Sequence, residues 1–161
     1  MVTVSGKSLG AIHSDAVPIA IRESVVEQIL EYSEHDVSRE VGGFLIGRLT
    51  GTPEIAVVEA FSPATCTISK AGSLTFTHDT WSHLTSELEE RFPGQKVLGW
   101  QHTHPGMGIF LSAYDLFIHR HFFREPWQMA LVVDPQRQEL GFFQWRGGEI
   151  VDCGFLCLTG D

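Results

Sequence analysis

The chain has 161 residues, of which 43% are hydrophobic, and its formal net charge at pH 7 is −9. This length is typical of one domain that buries about 68–70% of its surface on folding, and the composition predicts neither disorder nor a repeat array. The acidic charge disfavours nucleic acid as a partner, because binding to phosphates requires clustered Lys and Arg side chains.

Nothing in the sequence predicts export or membrane insertion. No apolar run approaches the about 20 residues of a membrane helix, and the opening "MVTVSGKSLGAIHSD" lacks the apolar core of a secretory signal. We therefore expect a cytoplasmic protein with no membrane partner. Residues 1–15 are predicted to form an N-terminal segment, and residues 16–161 a single domain.

The cysteines do not predict a disulfide framework, because there are three of them: Cys66, Cys153 and Cys157. The closely spaced pair near the end of the chain could contribute to a metal site. Buried thiols at a strand edge are the alternative, and the sequence favours it.

The first half of the chain predicts a strand, a helix and a hairpin. Ser24 and Glu27 form a capping-box pattern at the start of a run with helical hydrophobic spacing. Two strand-like runs follow and are separated by the turn sequence "TGTP", which predicts a hairpin. Glu40 would then lie at the entrance of its first strand. The predicted strands are Val17–Ile21, Val41–Leu49 and Glu54–Phe61.

The second half predicts two more helices and several strands. Asp79 is the expected cap of the first helix, and the Pro93-Gly94 pair ends it. "KVLGWQH" is typical of a buried strand that ends in a loop over His102–Leu111, since proline lacks an amide donor. Ser112 then opens a helix through about His121. "WQMALVVDP", "ELGFFQWRG" and "EIVDCGFLCL" predict three further strands. The fold class is therefore α/β, with one mixed sheet.

The stretch "HTHPGMGIFLSAYD" carries the candidate chemistry. Residues two apart on a strand point to the same face, so His102 and His104 can present two imidazoles to one point. Asp115, one turn into the next helix, could be the third ligand. Three such ligands around an ion with an open fourth position are typical of a hydrolytic zinc site.

Each of these features also has a purely structural interpretation. Ser112 and Asp115 form a Ser-x-x-Asp pattern that resembles a capping box. That use is compatible with catalysis, because a capped helix start holds both side chains rigidly. A second His-x-His pair, His119 and His121, is predicted to lie on a polar helix face.

Taken together, the motifs resemble the JAMM (MPN-plus) metallopeptidase family. The family pattern is an upstream glutamate, then His-x-His, ten residues of which the first is proline, and an aspartate, with a serine three residues before the aspartate. Glu40 in "REVGGFLIG" and the stretch "HTHPGMGIFLSAYD" match every element of it. The resemblance implies a cytidine-deaminase-like fold, in which about three helices flank a curved mixed sheet.

The resemblance also implies a role for each matching residue. His102, His104 and Asp115 would hold one Zn²⁺ ion, which lowers the pKa of a water towards about 7. Glu40 would act as general base and pass the proton to the leaving amine. Ser112 would donate a hydrogen bond to the oxyanion. Trp100 and Thr103, which flank the first histidine, are expected to pack or orient it.

The partner that the resemblance implies is a ubiquitin-like or sulfur-carrier protein with a Gly-Gly-type C-terminus. The tight connection "DPQRQEL" resembles the compact prokaryotic members of the family, some of which belong to operons linked to phage defence. Three hypotheses stay open: an isopeptidase that deconjugates or matures a ubiquitin-like protein, a peptidase for a sulfur-carrier adduct in a biosynthetic route, and a non-catalytic MPN-type scaffold.

Overall fold

The protein forms a nine-stranded mixed sheet with three helices in the described part of the chain, residues 5–64, 68–70 and 73–160 of a computed structural model. The strands are β1 Ser5–Leu9, β2 Ile19–Arg22, β3 Gly42–Thr50, β4 Ile55–Pro63, β5 Ile68–Lys70, β6 Ser73–Thr75, β7 Lys96–Thr103, β8 Met129–Asp134, β9 Glu139–Arg146, β10 Glu149–Cys153 and β11 Phe155–Thr159. The helices are α1 Glu23–Glu34, α2 His78–Arg91 and α3 Ala113–Phe122. The strand order is β1-β11-β2-β4-β3-β7-β8-β9-β10, and β5 and β6 form a separate two-stranded sheet. The predicted α/β fold with a mixed sheet is confirmed.

The sheet separates two hydrophobic clusters. Alternate residues of a strand point to opposite faces, so Leu131 of β8 joins the cluster beneath α1 whereas Ala130 joins the cluster beneath α2 and α3. Ile29 of α1 belongs to the first cluster, and Leu84 of α2 and Ile118 of α3 belong to the second. Strand β7, between β3 and β8, is therefore covered by helices on both faces.

The sheet curls because its last two strands lie near its opposite ends. Strand β10 is an edge of the sheet beside β9, whereas β11 lies between β1 and β2. Only Gly154 separates them. A Cβ atom at this position would lie 2.4 Å from the carbonyl oxygen of Leu9, so only glycine fits the crossing. The prediction of one final strand over "EIVDCGFLCL" was wrong, because the crossing at Gly154 divides that run in two.

The local predictions differ in outcome. The hairpin of β3 and β4 is confirmed by their antiparallel pairing. The capping box at Ser24 is wrong, because α1 begins after Arg22 with no side-chain cap. The cap at Asp79 is also wrong, since Thr77 caps α2 in a reciprocal capping box with Thr80. In both helices the predicted cap lies two positions after the residue that precedes the helix, because several polar residues occur close to each helix start.

The N-terminal segment contributes an edge strand to the same sheet, because β1 pairs with β11 in antiparallel register. No helix in the described ranges is both long and apolar enough to cross a bilayer. The cytoplasmic location stays a prediction.

A side chain caps α2 but none caps α1, and this difference leads to a stability prediction. Replacing Thr77 by alanine removes the side chain that accepts from the Thr80 amide, so we expect a loss of about 1 kcal/mol of unfolding free energy. For a chain of this size that loss lowers Tm by about 2–4 °C. The Ser24→Ala variant is the control and should melt like wild type in thermal unfolding followed by circular dichroism. Equal losses in the two variants would contradict the observed caps.

Candidate metal centre

The end of β7 and the start of α3 meet at one buried point. His102 lies in β7 and His104 follows it, still hydrogen-bonded along β8 through its amide to the Val133 carbonyl at 2.9 Å. The backbone therefore stays extended through both histidines, which turns their side chains to the same face. Asp115 approaches from the first turn of α3. All three residues are at most 3% exposed.

Three side-chain atoms are in mutual contact at this point. The Nε2 atoms of His102 and His104 are 3.0 Å apart, and each lies 3.1 Å from Oδ2 of Asp115. The three contacts have at most two protons between them, because each imidazole nitrogen carries one at most and an ionised carboxylate has none. Hydrogen bonds therefore cannot satisfy the set. Two imidazole nitrogens and a carboxylate oxygen are ligands that zinc prefers, so the residues fit a metal ion.

The helix start fixes the carboxylate of Asp115. The Ser112 amide donates to Oδ2 of Asp115 at 2.9 Å, and the Asp115 amide donates to the Ser112 hydroxyl oxygen at 3.1 Å. Both bonds confirm the predicted capping box. Since the Ser112 hydroxyl accepts here, its own proton remains available to donate. Burial by itself would raise the pKa of Asp115, but hydrogen bonds from His102 and His104 hold it well below its usual range.

Glu40 is the fourth residue of the cluster. It precedes β3, is 2% exposed, and offers a carboxylate oxygen within 4.8 Å of the ligand atoms of His102, His104 and Asp115. Burial raises the pKa of Glu40 to about 7, with His104 opposing and Asp115 reinforcing that effect. A carboxylate of this basicity can both take up and release a proton near neutral pH.

The backbone next to Glu40 is tied to the end of β7. The Val41 amide donates to the Thr103 hydroxyl at 2.9 Å, and the Thr103 amide donates to the Val41 carbonyl at 2.9 Å. Gly42 permits this approach, since a Cβ atom there would lie 2.2 Å from the carbonyl oxygen of Gln101. Thr103 therefore orients the segment that carries Glu40 rather than the first histidine.

Asp134 is a supporting residue that sequence reasoning missed. It is fully buried at the end of β8 and accepts from the amides of Gly106 and Gly108 at 2.9 and 2.8 Å. The amides of Gln136 and Arg137 add bonds of 3.1 and 3.0 Å. Burial alone would raise the pKa of Asp134, but these backbone donors lower it. The sequence does contain a signal for this role, because Asp134 ends the strand-like run in "LVVDP" and two glycines, Gly106 and Gly108, follow the histidines.

Through these bonds Asp134 fixes the loop that follows the histidines. Both glycines have positive φ angles, 74° and 85°, which directs their amides towards the carboxylate. The loop then places Phe110 against the imidazole of His104, with ring centroids 4.6 Å apart. Phe110 is still 42% exposed, so it lies at the open side of the site.

The second histidine pair does not lie on a polar face. His121 is exposed, but His119 is fully buried, so that prediction was wrong for His119. Its Nδ1 accepts a hydrogen bond of 3.0 Å from the Trp100 indole. The face of α3 that bears His119 packs onto the sheet, which the polarity of the sequence "HRH" concealed.

The cysteines in the described part of the chain pack rather than cluster with ligands. Cys153 of β10 and Cys157 of β11 are half-buried against the cluster beneath α1, and burial raises the pKa of the Cys153 thiol to about 12. Within the described ranges, the one group of three or more His, Cys, Asp or Glu residues that could hold a metal is Glu40, His102, His104 and Asp115. The packing interpretation is supported, and Cys66 lies outside the described residues.

The hydrogen bonds from the loop amides to Asp134 lead to a second prediction about stability. Asp134→Asn keeps the size of the side chain but replaces one accepting oxygen by a donor, so buried amides lose their partner at an expected cost of about 1–3 kcal/mol. Thermal unfolding should show a Tm several degrees below wild type. Asp152→Asn, the same change at an exposed position of β10, should stay within about 0.5 kcal/mol. Equal Tm values for both variants would show that the hydrogen bonds accepted by Asp134 do not stabilise the protein.

Comparisons with known proteins agree with this geometry. Residues 14–125, more than half of the chain, match the family described as JAB1/Mov34/MPN/PAD-1 ubiquitin protease. A STAM-binding protein-like protein of Xenopus laevis is 30% identical over 148 residues, covering 86% of this chain and 33% of that protein. The ubiquitin carboxyl-terminal hydrolase RPN11 of Saccharomyces cerevisiae is 27% identical over 134 residues, or 80% of this chain and 42% of that protein.

Two further comparisons extend the range of relatives. The NAD(+) hydrolase TcpA of a Theionarchaea archaeon is 30% identical over 128 residues, covering 78% of this chain and 36% of that protein. The chain thus spans about a third to two fifths of the length of these relatives. The solution structure of protein DSY2949 from Desulfitobacterium hafniense shares the fold, with a TM-score of 0.59 and 24% identity over 83% of this chain and 88% of that one. With its curled mixed sheet, three helices in the described ranges and matched motif segment, the chain belongs to the JAB1/Mov34/MPN/PAD-1 (JAMM) family.

Proposed function

We propose that the protein is a zinc-dependent isopeptidase or peptidase that hydrolyses the bond after the C-terminal glycine of a ubiquitin-like protein. The observation that carries the proposal is the buried contact of two imidazole nitrogens and one carboxylate oxygen at 3.0–3.1 Å, with Glu40 beside them. The family description and the name of one relative, the hydrolase RPN11, both refer to ubiquitin and support the choice of chemistry.

In this proposal His102, His104 and Asp115 would hold zinc, since their Nε2 and Oδ2 atoms meet at one point. Zinc held there supplies positive charge that acidifies water and polarises a carbonyl group. The Ser112 amide donates to Oδ2 of Asp115, and a hydrogen bond of this kind favours the charged form of the carboxylate. The buried surroundings strengthen each of these electrostatic interactions relative to water.

Glu40 moves the proton. Its carboxylate takes a proton from the attacking water and afterwards delivers it to the amine that leaves. Burial supports this exchange because it raises the pKa of Glu40 towards neutrality, where a group serves as both base and acid. The tie between Val41 and Thr103 keeps the carboxylate at the cluster.

Ser112 stabilises the oxyanion. Its hydroxyl oxygen is fixed by the Asp115 amide, and the hydroxyl proton can therefore be directed to the substrate oxygen as the carbonyl carbon becomes tetrahedral. A preorganised donor of this kind contributes about 10²–10³ in rate.

The proposed substrate is a ubiquitin-like protein with an extended Gly-Gly-type tail. A sulfur-carrier adduct would use the same chemistry and differs in the partner alone. A non-catalytic scaffold is disfavoured, because the four residues of the cluster are all retained and assembled.

The proposal predicts chelator-sensitive cleavage. Fusions of ubiquitin-like and sulfur-carrier proteins, incubated with zinc-loaded protein and followed by intact-mass spectrometry, should be cut just after the terminal glycine and left intact with a chelator. The class of fusion that is cut decides between the two partners. If zinc-loaded protein cuts no fusion in the panel, the peptidase proposal is contradicted and the scaffold alternative gains.

The role of Glu40 has its own test. Glu40→Gln should lower kcat by about 10²–10⁴, the usual contribution of general acid–base catalysis, while zinc content measured by elemental analysis stays at the wild-type level. Glu139→Gln, the same change at an exposed position at the start of β9, should leave kcat unchanged. Full turnover by Glu40→Gln would refute its assignment as base.

Ser112→Ala should lower kcat by about 10²–10³ and also reduce stability by about 1 kcal/mol, because it removes the cap of α3. Thr77→Ala is the matched control, since it removes the cap of α2 away from the cluster. Kinetics and thermal unfolding of both variants separate the two effects. If both variants lose activity equally, Ser112 acts through stability alone.

A further inference from the structure

A second buried link joins the two elements that carry the cluster. The Trp100 indole of β7 donates a hydrogen bond of 3.0 Å to Nδ1 of His119 in α3. The two side chains are 1% and 0% exposed. Loss of either side chain would leave the other without its hydrogen-bond partner, and an unpaired buried donor costs about 1–3 kcal/mol.

This link is in register with the metal centre. Trp100 precedes His102 by two residues on β7, so both side chains point to the same face of the strand. His119 follows Asp115 by four residues on α3, so both lie on the same face of the helix. The Trp100–His119 bond and the His102–Asp115 contact are consequently two successive connections between the same strand face and the same helix face.

Trp100 also holds the ring of His102. The indole stacks on the imidazole with ring centroids 4.4 Å apart and an angle of 14° between the planes. A metal-binding histidine usually has its second nitrogen bonded to a carboxylate, carbonyl or water. Nδ1 of His102 is buried and bonds to no carboxylate or carbonyl group in the described part of the protein. Stacking therefore takes over the orientation of this ring.

His119 in turn fixes the indole. As the acceptor at Nδ1 it is neutral, with its proton on Nε2, and burial lowers its pKa to about 4. Its ring is packed against Phe123 and Trp145, with centroids 5.8 and 5.4 Å away. Both the hydrogen bond and this packing restrict where the Trp100 indole can lie.

We infer that His119 is a positioning residue for the metal centre, which acts through Trp100 to set the orientation of the His102 imidazole and the distance between β7 and α3. The inference rests on the zinc site of the proposed function and goes beyond it, because His119 contributes no ligand to the cluster.

The test is a double-mutant cycle read out as zinc affinity of the metal-free full chain, by competition with a chromophoric chelator. His119→Phe removes the acceptor and Trp100→Phe removes the donor, and each should weaken zinc binding by about 10–100-fold. Because both substitutions break the same Trp100–His119 hydrogen bond, their effects should not add. The double variant should bind zinc as tightly as the single variant that has the larger loss of affinity. His119→Gln, which keeps an accepting oxygen, should restore most of the affinity.

His121→Phe is the matched control, because it makes the same change at an exposed position two residues further along α3 and should bind zinc like wild type. The visible spectrum of Co²⁺ bound in place of zinc gives a second readout, since a displaced ligand changes its bands. If His119→Phe does not fold, as judged by circular dichroism, Trp100→Phe and His119→Gln decide the question by the same measurements.

The outcomes separate the two proposals. Wild-type protein that binds no zinc would overturn the metal centre itself, and this inference with it. Wild-type affinity in His119→Phe or Trp100→Phe, or losses that add in the double variant, would overturn the positioning role and leave the proposed function intact. A lower Tm without a change in affinity would also assign His119 a structural role only.

Discussion

The contact of His102, His104 and Asp115 is the constraint on which the rest of the structure depends. Three polar side chains meet in a buried place where hydrogen bonds alone cannot satisfy them. Such an arrangement costs free energy unless a partner compensates it, so β7 and α3 must be held together by other interactions. The Trp100–His119 hydrogen bond is one of them. The capping box of α3 fixes the carboxylate, because the Ser112 amide bonds the same oxygen that faces both imidazoles.

The surrounding elements each restrain one part of this contact. Two hydrogen bonds between Val41 and Thr103, one of them accepted by the Thr103 hydroxyl, join the segment of Glu40 to β7. The Asp134 carboxylate accepts from the amides of the loop that follows His104. The pairing of β7 with β3 on one side and β8 on the other gives the histidines a rigid strand. A site built on the centre of a sheet is more precise than a site built on loops.

The site lies wholly within the segment that the family shares. The residues of the site, Glu40, His102, His104, Ser112 and Asp115, all lie within the matched residues 14–125. The whole chain spans only about a third to two fifths of the length of the relatives described above. One fold can serve several activities, so function depends on the residues of the site rather than on the fold.

The sequence by itself determined the features that depend on residues a few positions apart. The His-x-His spacing placed two imidazoles on one strand face, Ser112 and Asp115 defined a helix start, and the turn "TGTP" defined the hairpin. The tertiary structure alone decided that His119 is buried and that Asp134 holds a distant loop. It also decided that the chain crosses between sheet ends at Gly154. Local patterns follow the periods of strand and helix, but burial and long-range pairing depend on segments that meet only in the folded chain.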